Sequence, residues 1–279
     1  MSREHLRAFI NETKGPILEI GPFTDPFLKK GVYDVSYADI RSKDEIYEHY
    51  LPHKLYPPEL LYQGIVPIDY VIKDTYKNAV EGKRFSLIFS SHVIEHVDDI
   101  IAHFKDLWDI LEEGGYIALV VPDKRYTFDH FREVTPFRDM IDVYLSGDTG
   151  GTARFAFDMA FTCHPCNSPA LYTDGNVGFN EVAKDTGRYE KAVALYKRVK
   201  NEGYKVGDHN WVFTYASFLA FVRDGLRSGL LPFTLHYSHP PLPYTNEFTA
   251  ILKKDSAVTE DHEKRMAEII RISSLSDNS

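Results

Sequence analysis

The sequence predicts an α/β fold: a seven-stranded, mostly parallel sheet with helices on both faces and an antiparallel hairpin at one edge. Three observations predict it. Between Lys14 and Pro122, apolar strand-like runs alternate with polar or amphipathic segments, as parallel strands and their crossovers require. The strand-like runs are almost continuously apolar, so both sheet faces are covered. Near the other end, two further runs, Leu231–Tyr237 and Tyr244–Lys253, are joined by a short link containing HPPLP. That link is too short for a crossover and suits a hairpin.

Taken in order, the N-terminal MSREHLRAFINETKG is amphipathic and of mixed charge, with no apolar signal core. Pro16–Gly21 reads as a buried strand, and Val32–Ala38 as a second, ending at Asp39. Helix formers fill Ser42–Tyr50. Ile65–Ile72 is a weaker third strand and Phe85–Ser90 a fourth. Asp98–Leu111 has apolar residues at helical spacing and acids in its first turn, and Gly114-Gly115 is expected to stop that helix. Tyr116–Val121 is a fully apolar fifth strand. From 123 to 207 the chain is rich in aromatics, charges, Gly and Pro, and reads as an insertion or lid with one helix at Asn180–Glu202. Thr214–Ser228 returns to helical spacing. The expected organisation is a single domain over 1–255, followed by a C-terminal helix and a frayed tail over 256–279.

With 279 residues, 43% of them hydrophobic, the chain can bury one large core. Its net charge is −9 and it has no Lys/Arg-rich block, so no nucleic-acid partner is expected. No stretch approaches the roughly 20 apolar residues that span a bilayer. No membrane association is therefore expected, and a cytoplasmic location is the default. Oligomeric state is not legible. Cys163 and Cys166 form CHPC, with no second CxxC or HxxxH to complete a zinc site. A plain loop is expected there.

In an open parallel sheet, ligands bind beyond the carboxyl ends of the strands. The residues there are Gly21-Pro22-Phe23-Thr24-Asp25, Asp39, Ser90-Ser91-His92 and Pro122-Asp123-Lys124-Arg125. An acid ending the second strand, about 20 residues past a glycine turn, suits a hold on two ribose hydroxyls; a helix N-cap or solvated loop acid is the alternative. Glu19, inside an apolar strand, is costly to bury unless backbone amides or a cation meet it. Gly21 lets the backbone pass close to a ligand.

Together these residues resemble the class I S-adenosylmethionine-dependent methyltransferases. The resemblance is carried by ILEIGP, YADI, FSLIFSSHVIEHVDD and LEEGGYIALVVPD in their order and spacing, and by the hairpin LPFTLHYSH…YTNEFTAILKK. It covers roughly Lys14–Pro122 and Trp211–Lys254. It implies a Rossmann-like sheet, S-adenosylmethionine as cofactor and S-adenosylhomocysteine as product. It places Glu19, Gly21 and Pro22 near the methionine part, Asp39 on the ribose, Ile40 beside the adenine and Asp69 near the adenine amino group. Ser91 and His92 would line the sulfonium side, while Glu95 and His96 belong to the motif or brace its loop. One departure stands out: the usual G-x-G turn is here Gly21-Pro22-Phe23.

Two further clusters carry chemistry. PDKRYTFDHFREVTP, at 122–136, follows the fifth strand. Methyl transfer is an in-line displacement, in which an enzyme positions the nucleophile and removes its proton. An imidazole suits base work at neutral pH, which makes His130 a candidate base, with Asp129 or Asp123 to orient it. Lys124, Arg125 and Arg132 suit a phosphate or carboxylate on the acceptor, and Asp123 and Tyr126 complete that expected acceptor site. A solvated, charged loop is the alternative. In GDHNWVF, at 207–213, His209 is a second base candidate and Trp211 a stacking surface, or else a buried ring behind a capped helix. The two histidines and nearby acids suit a divalent metal, but no ligand spacing fixes one, so no metal is assigned. The expected activity is methyl transfer from S-adenosylmethionine to an oxygen of a small polar acceptor: a sugar, nucleotide-sugar or phosphorylated metabolite. A nicotinamide-dependent dehydrogenase is disfavoured by the missing G-x-G-x-x-G and by the hairpin. A catalytically inactive cofactor-binding partner protein is the remaining alternative.

Overall fold

The structure is a computed structural model that describes residues 2–54, 56–147, 151–164, 168–173, 182, 184–204 and 209–276. Seven strands form one sheet: β1 Ile17–Ile20, β2 Val35–Asp39, β3 Tyr70–Val71, β4 Phe85–Ser91, β5 Leu111–Pro122, β6 Phe233–His239 and β7 Glu247–Lys254. Their order is β3-β2-β1-β4-β5-β7-β6. β1 to β5 run parallel, and β7 is antiparallel to both β5 and β6. The order reverses between β1 and β4, which places the ligand crevice at their carboxyl ends.

Both faces of the central strands are buried, as their continuous apolar runs require. Leu87 and Phe89 of β4 and Val120 of β5 face one core, which α1 (Ser2–Glu12) closes with Leu6 and Ile10. Ile88, Leu119 and Val121 face the other core, built with α5 (Ile100–Ile110) and α10 (Tyr215–Ser228). Local signals set the helix starts. Ser42 and Glu45 form a capping box on α2 (Lys43–Tyr50), and Asp99 caps α5. Thr214 and Ser217 pair in the same reciprocal way on α10. Between α2 and β3 lie the short helix α3 (Pro58–Gly64) and its exit; α4 (Tyr76–Ala79) follows β3.

The structure departs from expectation at three elements. The third strand is only Tyr70–Val71, because Ile65 ends α3 and Val66 is drawn to the Phe23 carbonyl, 3.1 Å away. Gly114-Gly115 does not stop a helix. α5 already ends at Ile110, and the glycines sit in a bulge of β5 where the register with β4 shifts between Phe85 and Leu87. Gly114 adopts φ +79°, and a Cβ on Gly115 would lie 2.9 Å from the Glu112 carbonyl oxygen. In the inserted region, the described helices are α6 (Phe137–Ser146), α7 (Gly151–Thr162), α8 (Ser168–Thr173) and α9 (Arg188–Glu202). α6 places Met140 and Val143 in the main core. Of the expected helix at Asn180–Glu202, the described helix runs from Arg188 to Glu202, and Asn180, Glu181 and Ala183 lie outside the described residues. Cys166, most of TDGNVGFN and Gly207-Asp208 lie outside the described residues. After β7, α11 (Ser256–Thr259) and α12 (His262–Ser276) follow, and Ile269 and Ile272 of α12 join the main core.

Candidate cofactor and acceptor site

At the carboxyl end of β1 the chain turns through two left-handed residues, Gly21 at φ +69° and Phe23 at φ +46°. The first needs glycine twice over: its φ is disfavoured for a side chain, and a Cβ would lie 2.9 Å from Val93 Cγ2. The turn opens on a cavity of about 710 Å³, within the range of small-molecule sites. Glu19, Gly21, Pro22 and Ser91 contribute its sheet-end wall, and Arg3 and Arg7 of α1 face them. The cavity's size and its mix of apolar turn and charged groups fit S-adenosylmethionine. Arg3 and Arg7 escape a reading of strand ends; their spacing of four on an amphipathic helix was the available signal.

Glu19 is buried, and its two carboxylate oxygens accept the backbone N–H groups of Phe27 (2.7 Å) and Leu28 (2.9 Å). It therefore ties the cavity loop back onto β1. Burial pushes its pKa up to about 7 against those two donors. Asp39 ends β2 beside the turn, which is joined to that strand by Gly21 N–H and the Ala38 carbonyl (2.9 Å). Its carboxylate accepts the Arg41 N–H at 3.0 Å, and burial raises its pKa. Ile40, next to it, is 58% exposed. Asp69 lies elsewhere, contrary to expectation. It precedes β3, accepts the Tyr37 N–H at 2.7 Å and pairs with Lys30 Nζ at 2.6 Å. Both contacts draw it back along β2, away from the carboxyl edge.

Ser91 and His92 end β4. His92 adopts φ +53°, and its Nε2 meets Glu247 Oε2 at 3.0 Å. Glu247 also accepts both arms of Arg3, at 2.5 and 2.8 Å. This clamp docks α1 on the sheet. Burial opposes ionisation of Glu247, but Arg3 and then His92 outweigh it and hold its pKa at about 2. The folded value lies below the ordinary 4.5, so the clamp's stabilisation is present above pH 4.5 and is lost as pH falls toward 2. Stability measured by denaturant unfolding at stepped pH is expected to fall through that window, and Arg3→Ala to flatten the fall. Equal pH slopes for the two proteins would remove the clamp from the account.

Beyond His92 lies a second, more deeply buried group. Glu95 is 0% exposed, and neither carboxylate oxygen has a hydrogen-bond partner among the described residues. His92 Nδ1 stands 3.5 Å from its Oε1, and His96 Nε2 and His209 Nε2 each 3.9 Å. Burial raises the Glu95 pKa. His209 Nδ1 contacts Asp129 Oδ2 at 2.5 Å. Asp129 in turn accepts Arg132 Nη1 at 2.8 Å, and Arg132 Nε reaches Asp158 Oδ2 at 2.7 Å. Burial raises the Asp129 pKa, but His209 and Arg132 outweigh it and hold the group ionised. The loops that carry these side chains are zipped together. Asn210 N–H (2.7 Å) and Trp211 N–H (3.1 Å) both donate to the Glu95 carbonyl, and Trp211 Nε1 donates to the Val97 carbonyl at 2.6 Å.

A methyltransferase-domain family matches residues 1–159, more than half of the chain. The chain belongs to this family. Its cofactor is S-adenosylmethionine. Among solved structures, the methyltransferase chain is similar to a glycopeptide N-methyltransferase complexed with sinefungin (20% identity, 44% of this chain and 54% of that one, TM-score 0.30). It is also similar to a methyltransferase from Streptomyces caelestis (18%, 45% and 54%, TM-score 0.28). A third is an S-adenosylmethionine-dependent methyltransferase from Mesorhizobium loti (12%, 90% and 96%, TM-score 0.41). The first two are matched over about half of their length (54%). No curated protein sequence matches.

Several residues expected to bind the acceptor have structural partners instead. Asp123 is fully buried; it accepts Arg125 Nε and Nη2, each at 2.9 Å, and the Tyr215 N–H at the start of α10 (2.9 Å). Arg132 is 1% exposed and is spent on Asp129, Asp158 and the His209 carbonyl. Trp211 is 1% exposed, edge-on to Phe155, and offers no stacking face. Lys124 Nζ donates to the His130 carbonyl at 2.8 Å, and burial lowers its pKa. Tyr126 stacks on Tyr172 at 3.8 Å. His130 Nδ1 contacts the Arg125 carbonyl at 2.7 Å, so Asp129 does not orient it. Cys163 of CHPC donates to Asp129 Oδ1 at 3.5 Å. A sequence read in one dimension cannot bring Asp129 to His209, which are 80 positions apart.

Proposed function

We propose that the protein transfers the methyl group of S-adenosylmethionine to a hydroxyl of a small polar acceptor such as a sugar, nucleotide-sugar or phosphorylated metabolite. The bound cofactor supplies a methyl group on a cationic sulfur, ready for in-line displacement. In this reading Arg3 and Arg7 face the methionine carboxylate across the cavity, and Asp39 and Ile40, which lie beside the turn but outside the cavity lining, take the ribose and adenine where the cofactor extends past the turn. The described part of the insertion, which carries Asp129, Arg132 and Asp158, borders the acceptor side as a lid. The observation that carries the reading of the acceptor side is the Asp129–His209 contact of 2.5 Å. An ionised Asp129 on Nδ1 leaves the Nε2 lone pair of His209 aimed toward Glu95, at the ligand edge of the sheet, where it activates the acceptor hydroxyl.

Calorimetry of the full chain with S-adenosylmethionine, S-adenosylhomocysteine and NAD tests the cofactor assignment. Both sulfur compounds are expected to bind and NAD is not; the reverse pattern would make the sheet a dehydrogenase site. Asp39→Ala is expected to weaken S-adenosylmethionine by about 1–3 kcal/mol, the scale of a lost hydrogen bond to a charged group. An unchanged affinity would take Asp39 out of the site. Labelled-methyl transfer to a panel of hydroxylated acceptors tests turnover, and binding without transfer to any of them would favour a non-catalytic partner protein.

A further inference from the structure

We propose that Glu95, His96 and His209 form a binding site for one divalent transition-metal ion beside the cofactor cavity. Its catalytic meaning rests on the methyl-transfer reading, but the site itself rests on geometry. One ligand-type atom from each of the three residues lies within 4.8 Å of the other two. Glu95 and His96 come from the loop after β4, and His209 from the loop before α10.

Four observations argue for a built site rather than a chance cluster. Glu95 is wholly buried, and among the described residues neither of its oxygens has a hydrogen-bond partner, which leaves both free to meet a cation. Asp129 on His209 Nδ1 reproduces the carboxylate–histidine pairing that orients a metal-bound imidazole and raises its basicity. Arg132 and the His209 carbonyl hold that pairing from behind. The ligand-bearing loops are joined before any ion arrives. Asn210 Nδ2 donates to the His96 carbonyl at 3.1 Å and Asn210 N–H to the Glu95 carbonyl at 2.7 Å.

The distances suit a small adjustment. Glu95 Oε1 is 3.9 Å from both His96 Nε2 and His209 Nε2. Ligands held at roughly 2.1 Å from zinc stand about 3–3.5 Å from one another. His96, whose side chain is 40% exposed, supplies the closing movement by rotation. Two imidazoles and one carboxylate select Zn²⁺, Co²⁺, Fe²⁺ or Ni²⁺ over Mg²⁺ and Ca²⁺, which prefer oxygen. Three protein ligands leave a position open for a further oxygen. In that position an acceptor hydroxyl gives up its proton to solvent more readily, and His209 then serves as a ligand of the cation rather than as the base.

The test uses the untagged full chain, stripped by a chelator and titrated with Co²⁺ alone, following the visible ligand-field absorption. One equivalent is expected, displaced by Zn²⁺. Glu95→Gln and His96→Gln should each weaken binding at least about tenfold, and Asp129→Asn, acting through His209, by roughly 10–100-fold. Thermal unfolding of each metal-free variant checks its fold; if Glu95→Gln does not fold, His96→Gln at the more exposed position decides. No stoichiometric binding, or binding unchanged in the folded variants, would overturn the site. Calorimetry with S-adenosylmethionine on the same stripped protein separates the two proposals. Cofactor bound without cobalt sinks the metal site and leaves methyl transfer standing. Cobalt bound without cofactor does the reverse.

Discussion

Replacing His209 by alanine is expected to lower the rate of methyl transfer by roughly 10²–10⁴-fold, the usual contribution of a positioned proton-transfer or acceptor-activating group, with S-adenosylmethionine affinity kept. The expectation follows from what each histidine is bound to. His209 Nδ1 is held by Asp129 at 2.5 Å, which leaves Nε2 directed at Glu95. His130, the other candidate in the sequence, meets the Arg125 carbonyl through Nδ1, while Asp129, which would have oriented it, is held by His209 and Arg132. His130→Ala should therefore cost much less. Asp129→Asn should lose most of what His209→Ala loses, because an amide can present the wrong tautomer to the ring. The measurement is kcat and cofactor Kd for the three variants on one acceptor. If the loss follows His130 instead, the roles are exchanged. If it appears in cofactor affinity, His209 belongs to the cofactor side.

The largest expected effect on stability is at Arg132. Arg132→Met should destabilise the fold by about 3–5 kcal/mol, the scale for removing one partner of a buried ion pair. Arg132 is 1% exposed and lies between Asp129 at 2.8 Å and Asp158 at 2.7 Å. Without it, an ionised Asp129 is left buried near a second acid, Glu95. The methionine fills much of the volume, so the loss is electrostatic rather than a cavity. Urea unfolding at neutral pH reads the difference, and adding Asp129→Asn should recover part of it because the orphaned charge is then gone. A loss under about 1 kcal/mol would match an exposed pair and contradict this arrangement.

Legibility varied with the range of the interaction. The helices near Ser42, Asp98 and Thr214 were readable from helix formers, first-turn acids and apolar spacing, because such patterns repeat within a few residues. The strands β1 and β4 and the second half of β5 were readable because burial on both faces demands near-continuous apolar runs. The third strand was not, since Val66 is claimed by the Phe23 carbonyl of a distant turn. Asp123 and Trp211 looked like ligand-binding residues because polar and aromatic side chains at a strand end or loop give no sign of being buried. Arg3 meets Glu247 across 244 positions, and nothing local announces that contact.

By itself, the sequence determined the parallel sheet, its antiparallel ending and the glycine turn with its acid at the end of β2. Each depends on hydrophobic periodicity, or on a backbone conformation that glycine adopts more readily than any other residue. Only the tertiary structure decided which charges meet. It paired Asp129 with His209 rather than His130, sealed Arg132 inside, and buried Glu95 among three imidazoles. Those outcomes turn on distances of a few ångströms between loops far apart in the chain, where burial, not sequence spacing, sets the strength of a charge.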